Sequence, residues 1–468
     1  MADHPSSRIV VVGLARSGIG AARLLRARGH HVLLIESRRD AALEAKAAEL
    51  RAEGIEVQLQ APLSATTFAN LGYRPDGVVV SPGIRWDHPA LLELREAGIT
   101  VRGELSPAWE ATQGIPWIAI TGTNGKTTVT HLVHHLLSRA GLDAPLCGNV
   151  GNSAAELALS CLREGRRPDH LVVEVSSYQI EASADLAPAI GLWTTLTPDH
   201  LERHGTLDNY RAIKRSLIER SGVRILNADD ADLRARAASW DQAQWITAGP
   251  RQALPSGITP CLWVENGQVC NEAGPLFPAD CLAMPGEHNR QNLLMAAAVG
   301  LELGLAPAVM EAALRDFPGV PHRLERIRHC GGVSWYNDSK ATNYDAAEVA
   351  LRALEGPLVV LAGGQSKVGE AAAWVAGLQR QARAVVLYGA SRDEFQELLA
   401  RHGYSGAVQC CEGMEEAVPL AAALAVGCRA VLLSPACASF DQYTDFEARG
   451  DHFRRLVLAL PEAEGAAA

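Results

Sequence analysis

Short runs of consecutive apolar residues punctuate this chain, and most of them end in small or polar residues. Residues 9–12, 32–35 and 78–80 form such runs near the start. Residues 118–120, 171–175 and 190–196 do so in the middle, and 358–361, 384–387 and 430–433 near the end. Runs this short and this uniformly apolar read as strands buried on both faces. Between them lie Ala/Leu-rich stretches with helical spacing: 19–28, 210–219, and a helix with Val129, Leu132, Val133, Leu136 and Leu137 on one face. Strands alternating with helices predict parallel sheets covered by helices, an α/β protein. The blocks predict three domains, at 1–104, 105–319 and 320–468. The first and last are Rossmann-like.

The sharpest local signal follows the strand at 118–120. The turn reads Gly122-Thr123-Asn124-Gly125-Lys126-Thr127-Thr128 and opens the helix. Strand, glycine turn, Lys-Thr and helix is the layout of a phosphate-binding loop, so the central domain resembles a P-loop ATPase. Backbone N–H groups at the helix start face an anion, the lysine reaches the outer phosphates, and a threonine hydroxyl can ligate Mg²⁺. A standard loop of this type has glycine five places before Gly125, where this chain has Ile120. The loop is therefore a short one, and an ordinary glycine turn stays open on spacing alone. Glu174 lies within the apolar run 171–175. A carboxylate there is costly unless paired or metal-bound. It matches the acid that holds Mg²⁺ beside phosphate loops, or a strand-end carboxylate satisfied by backbone donors.

After the first strand comes Gly13-Leu14-Ala15-Arg16-Ser17-Gly18. A dinucleotide fingerprint wants glycine where Ala15 stands, so the turn argues for a phosphate-bearing ligand more than for NAD. An NAD-dependent dehydrogenase, or a sheet with no ligand, stays open at this point. Glu36 ends the second strand, at the place where a ribose hydroxyl is read.

Composition narrows the class. Across 468 residues the net charge is −10, which argues against a nucleic-acid partner, and 48% of residues are hydrophobic, enough for several cores. No apolar run reaches the roughly 18–20 residues of a membrane span. The first eight residues lack the apolar core of a signal peptide, so the expectation is a cytoplasmic protein without membrane contact. Ten cysteines are scattered with no CxxC pair, as expected of reduced thiols. No long coiled-coil pattern points to a dimer, so a monomer is expected.

Further blocks recur in a fixed order: Glu174-Val175-Ser176-Ser177-Tyr178-Gln179, the stretch 286–292, Pro321-His322-Arg323-Leu324-Glu325, the stretch 337–343, the stretch 434–443, and Phe446-Glu447 with Arg449-Gly450. Together with the short phosphate loop they make the whole chain resemble the Mur ligases of peptidoglycan synthesis, and among them the branch that adds D-glutamate. The resemblance implies ATP and Mg²⁺, with two ions, and UDP-N-acetylmuramoyl-L-alanine and D-glutamate as the substrates joined through an acyl phosphate. A related ligase adding another amino acid, such as L-glutamate, is the nearest rival.

By that resemblance, Lys126, Glu174, His200 and Lys214 carry the chemistry. Metal falls to Thr127, Glu174, His200 and Lys214, the last as a carbamate. Gly122, Thr123, Asn124, Gly125, Lys126, Thr127, Thr128, Asn289, Asn292, His322, Arg323 and Asp338 match the ATP site. Arg16, Ser17, Glu36, Ser37, Arg38, Gly83 and Asn149 match the UDP-substrate site. Thr342, Lys367, Ser439, Phe440 and Phe446 match the amino-acid site. Gln365 stands where relatives often carry Asp. The loop 202–207 is about one residue shorter than in some of them. Without the resemblance, Lys214 reads as an ordinary surface lysine.

Overall fold

The structure is a computed structural model that describes residues 6–284, 286–366 and 370–461. The chain divides into two compact units, Met1–Phe317 and Pro318–Ala468. The first unit holds two sheets and the second holds one.

The first sheet is five-stranded and wholly parallel. Its order is Glu56–Leu59, His31–Glu36, Arg8–Val12, Gly77–Val80, Thr100–Gly103. Strand order reverses beside Arg8–Val12, and the turn at 13–15 leaves that strand's carboxyl end, the usual place for a ligand crevice. The following helix is Arg16–Ala27, three residues longer at its start than the periodicity predicts. That puts Arg16 and Ser17 in its first turn.

The second sheet has nine strands. From Trp117–Thr121 the chain moves to one side for Leu146–Gly148 and Leu171–Glu174, then to the other for Ile190–Trp193 and Val223–Asn227. Trp117–Thr121 is therefore the switch point, and it is buried at every position. Beyond Pro260–Glu265 the sheet ends in antiparallel strands, Gln268–Asn271 and Gly274–Pro278, a hairpin extension that the apolar pattern does not predict. One apolar core joins both sheets of this unit, running from Val11, Leu24 and Leu34 through Leu105 and Trp117 to Leu159 and Leu171.

The second unit carries six strands in the order Glu325–Cys330, Val333–Asn337, Ala430–Leu433, Leu358–Gly363, Ala382–Tyr388, Ala407–Cys410. All pairs are parallel except the first. Its core lies on both faces of Leu358–Gly363, whose residues are all buried.

Candidate functional site

The phosphate-loop turn is built by steric necessity. Gly125 caps the helix Lys126–Arg139 in a left-handed conformation, φ 84°, which non-glycine residues avoid. A Cβ there would lie 2.8 Å from Asn292 Oδ1. One on Gly122 would collide with Thr194 Oγ1. The helix has no side-chain cap and no acidic residue in its first turn. Its first N–H groups are thus left for an anion, with the positive end of the helix dipole behind them.

Two lysines converge on this turn. Lys126 Nζ donates to Gly122 O and Thr123 O, both at 2.9 Å. Lys214 Nζ donates to the same Gly122 O at 2.9 Å and to Thr121 Oγ1 at 3.3 Å. Lys214 is 1% exposed, not the surface lysine that the residues alone suggest. Burial holds its amine well below the ordinary lysine value, and the neighbouring Lys126 charge pushes it further down. The signal lay in the helix Leu207–Glu219: its buried set Tyr210, Lys214, Leu217 and Ile218 follows helical spacing, so Lys214 occupies an apolar-face position. Lys214 Nζ lies 4.7 Å from the Tyr210 ring centroid.

Glu174 is the last residue of its strand and 2% exposed. Oε1 accepts from Asn149 Nδ2 at 2.8 Å. Oε2 is buried with no partner among the described residues. An unpaired buried carboxylate oxygen is expensive, and a cation is the usual remedy. This observation fits a metal at Glu174. Asn149 is gripped twice, since its backbone N–H also donates to Glu174 O at 2.9 Å. His200 has φ 52° and is partly exposed, with Asp199 3.4 Å and Glu202 3.7 Å from its ring nitrogens. Its ring lies 5.1 Å from that of Tyr178. Thr127 and Thr128 are buried in the first helical turn. Asn289 and Asn292 are buried on the helix Glu287–Glu302, and Asn292 abuts the Gly125 turn.

In the first sheet, Arg16, Ser17, Glu36, Ser37, Arg38 and Gly83 gather beyond the carboxyl ends of three neighbouring strands. Gly83 follows Ser81, whose Oγ donates to Gly13 O at 3.5 Å. Glu36 is already engaged: Oε2 accepts from Leu14 N–H at 3.0 Å, and Oε1 from Arg38 N–H at 3.1 Å and Ser37 Oγ at 3.2 Å. Burial pushes its carboxyl up, but those donors outweigh it and hold it below the usual range. Glu36 shapes the turn with both oxygens. Asn149 stands apart from this group, beside Glu174.

The second unit brings together the remaining residues. Asp338 follows the strand Val333–Asn337; its Oδ1 accepts from Leu324 N–H at 3.1 Å and its Oδ2 from Ser434 Oγ at 3.1 Å. Burial pushes it up to about 7, against those donors and the Arg323 charge. His322 is buried and pairs with Asn337 Nδ2 at 2.9 Å. The loop carrying it is strained, with His322 at φ 61° and Leu324 at φ 44°. Phe446 packs edge-on against His322, with centroids 6.1 Å apart. Ser439 is buried, Phe440 is exposed, and Thr342 is half-buried. Lys367 lies outside the described residues. The Gln365 backbone exchanges two hydrogen bonds with Ala438, at 2.9 and 3.0 Å, and so anchors the loop before Ser439.

Sequence reasoning missed Arg449 as a site builder. It is fully buried, and its guanidinium donates to Ser339 Oγ (2.9 Å), Ser339 O (2.8 Å) and Cys437 O (3.1 Å). It ties the loop 338–342 to the loop 434–439. It also missed Glu104 and Gln179, which bond each other at 2.8 Å in the core of the first unit.

A short phosphate loop at a sheet switch point, with a cation-ready carboxylate on the neighbouring strand, defines a P-loop nucleotide-binding protein. Three family models then match in order: the Mur ligase MurD-like N-terminal domain at residues 7–103, the Mur ligase middle domain at 120–300, and the Mur ligase glutamate ligase domain at 322–437. The chain belongs to the Mur ligase family. A UDP-N-acetylmuramoylalanine--D-glutamate ligase of Prochlorococcus marinus (strain MIT 9313) is 55% identical over 456 residues, covering 96% of this chain and 98% of that protein. Its namesake in Thermosynechococcus vestitus is 47% identical, covering 96% and 99%. Among solved structures, a UDP-N-acetylmuramate-alanine ligase of Thermotoga maritima shares the fold at TM-score 0.57 and 20% identity, covering 97% and 99% of the two chains.

Proposed function

We infer that this chain is an ATP-dependent ligase that joins D-glutamate to UDP-N-acetylmuramoyl-L-alanine in peptidoglycan precursor synthesis. The observation that carries the chemistry is the pairing of an unpartnered Glu174 oxygen with a buried Lys214, whose amine burial holds well below the ordinary lysine value, beside the phosphate-loop turn.

The domains divide at 1–104, 105–319 and 320–468, holding the UDP-substrate, ATP and amino-acid sites in turn. Lys126 leaves the Gly122 and Thr123 carbonyls to take the outer phosphates of ATP, and the uncapped helix start holds the rest. Thr127, Glu174, His200 and Lys214 hold Mg²⁺, two ions in all. Lys214 serves as a carbamate, which a neutral amine can form and an ammonium cannot. When bound, Mg²⁺ would supply positive charge against the like charges of carboxylate and γ-phosphate.

The alanine carboxylate attacks the γ-phosphorus, an O–P bond forms, and the bond to ADP breaks. The D-glutamate amine then attacks the acyl carbon, and phosphate leaves with the attacking carboxylate oxygen. His200 orients the amine. Asn289, Asn292, His322, Arg323 and Asp338 bind the nucleotide. Arg16, Ser17, Glu36, Ser37, Arg38, Gly83 and Asn149 bind the UDP-sugar, and Glu36 also braces the turn. Thr342, Lys367, Ser439, Phe440 and Phe446 receive D-glutamate. The enzyme works in the cytoplasm as a monomer, and no helix among the described residues is long and apolar enough to cross a membrane.

This route has an isotopic signature. With ¹⁸O in the alanine carboxylate, one label should appear in released phosphate for each amide formed. Phosphate free of label would rule out the acyl phosphate.

A further inference from the structure

Glu104 is a buried acid that the proposed chemistry does not use. It ends the strand-to-helix step between Thr100–Gly103 and Leu105–Ala111, and it is 4% exposed. Its Oε1 accepts from Gln179 Nε2 at 2.8 Å. Gln179 is fixed in turn, because its Oε1 accepts from Ser176 N–H at 2.9 Å and Ser176 Oγ at 3.0 Å. The amide of Gln179 therefore has its N–H₂ directed at Glu104, and Oε1 of Glu104 is committed. Oε2 is not. The Ser17 hydroxyl stands beside the carboxyl, near enough to favour its charged form, yet no donor is seated on Oε2 in hydrogen-bonding geometry among the described residues.

Ser17 lies in the first turn of the helix Arg16–Ala27, which has no side-chain cap and no acid in its first turn. A serine hydroxyl has one hydrogen. If that hydrogen points to a Glu104 carboxylate, it is withheld from an anion at the helix start. If Glu104 is a neutral acid, its own O–H can donate to Ser17 Oγ, and the serine hydrogen turns outward.

We propose that Glu104 is a positioning residue for the anionic substrate: it takes a proton from solvent on Oε2 as the diphosphate binds, donates that proton's hydrogen bond to Ser17 Oγ, and so aims the Ser17 hydroxyl at a phosphate oxygen. The inference rests on the reading that the turn at 13–18 holds the UDP-sugar. The balance is one proton taken up from solvent per substrate bound, with no covalent change. Burial in the core already pushes the carboxyl up to about 7, with the Gln179 amide, the Ser17 hydroxyl, the Arg16 charge and the Leu105 N–H pulling the other way. The charged and titratable groups facing it are Arg16, from its helix, and Cys147, from the strand Leu146–Gly148. Burial raises that thiol, so it stays neutral. A carboxylate next to an incoming diphosphate is a like-charge pair, which raises the acid further.

The test is calorimetric binding of UDP-N-acetylmuramoyl-L-alanine without ATP, in buffers of different ionisation heat, at pH 6 and pH 8.5. The phosphates of this probe are diesters, so they take up no proton in this range. The parent protein should take up almost no proton at pH 6 and most of one at pH 8.5. Glu104→Gln keeps an acceptor for Gln179 and places an N–H₂ donor on Ser17 Oγ. It should lose the extra uptake and bind roughly tenfold or more tightly than the parent at pH 8.5. The KM for the UDP-sugar, and not that for ATP, should follow the same pH dependence in the parent. Equal uptake in parent and Glu104→Gln overturns the proposal, as does weaker binding with an unchanged pH profile. Ser17→Ala gives a second check that does not need Glu104 altered. It should weaken binding and reduce the uptake, and full uptake in it overturns the relay. Unchanged affinity in Ser17→Ala would instead remove the UDP-sugar from this turn.

Discussion

Replacing Lys214 by methionine should raise stability and abolish turnover. Methionine is unbranched and one atom shorter than lysine, and it carries no amine into the core. The loss can be counted from the contacts. Gly122 O keeps Lys126 Nζ at 2.9 Å, so it remains satisfied. Thr121 Oγ1 loses one donor at 3.3 Å, a loss of about 1 kcal/mol. Against this, burying a polar amine with too few partners costs about 1–3 kcal/mol, which methionine escapes. The net gain is then up to about 2 kcal/mol, and each kcal/mol moves Tm by about 2–4 °C in a domain of 150–250 residues. The sign of the pH dependence follows from the lowered Lys214 value. Between the lowered native value and the ordinary 10.5, the unfolded chain holds a proton that the native core does not. Stability of the parent therefore rises with pH in that window, and the advantage of methionine shrinks toward it. Thermal unfolding in bicarbonate-free buffer at pH 7 and pH 9.5 reads the first part, and phosphate release under Mg-ATP reads the second. A lower Tm at pH 7, or turnover near that of the parent, would refute the reasoning. In Lys214→Ala, added short carboxylic acids should restore part of the rate by standing in for the carbamate.

Lys126→Ala should leave the circular dichroism spectrum intact and lower kcat by roughly three orders of magnitude, the range for lost preorganised charge stabilisation; near-normal kcat would make the loop structural. Asp338→Asn should flatten the pH dependence of stability between about pH 4 and 7. The carboxyl rises from 3.8 to about 7 on folding, so the native state holds an extra proton there and loses stability as pH rises. Denaturant titrations at four pH values would show it, and an unchanged slope would place the burial elsewhere. Arg449→Lys keeps the charge but cannot span the Ser339 and Cys437 acceptors. It should cost about 2–4 kcal/mol and raise the KM for D-glutamate more than that for ATP. Equal shifts in both KM values would reduce Arg449 to a packing role.

Much of this was legible in the chain because its signals are local. Strands buried on both faces appear as unbroken apolar runs, and the phosphate loop is a contiguous window whose glycines answer to nearby atoms. The parts that were not legible depend on partners far along the sequence. Glu104 and Gln179 are 75 residues apart, and Arg449 and Ser339 are 110 apart. No spacing rule links them. The antiparallel strands Gln268–Asn271 and Gly274–Pro278 mix polar and apolar residues because only part of each is buried. Lys214 is a middle case. Its helical position told of burial, but a lysine there runs against the expectation that charged side chains face water. Glu36 was correctly placed at a strand end, and only the structure shows both its oxygens spent on the turn.

The most direct test of the account mixes the protein with Mg-ATP, UDP-N-acetylmuramoyl-L-alanine and either D- or L-glutamate, and follows phosphate release together with the mass of the UDP product. Release that depends on D-glutamate, with a product heavier by one glutamyl residue, is the predicted result. No release with D-glutamate, or release with L-glutamate only, would contradict it.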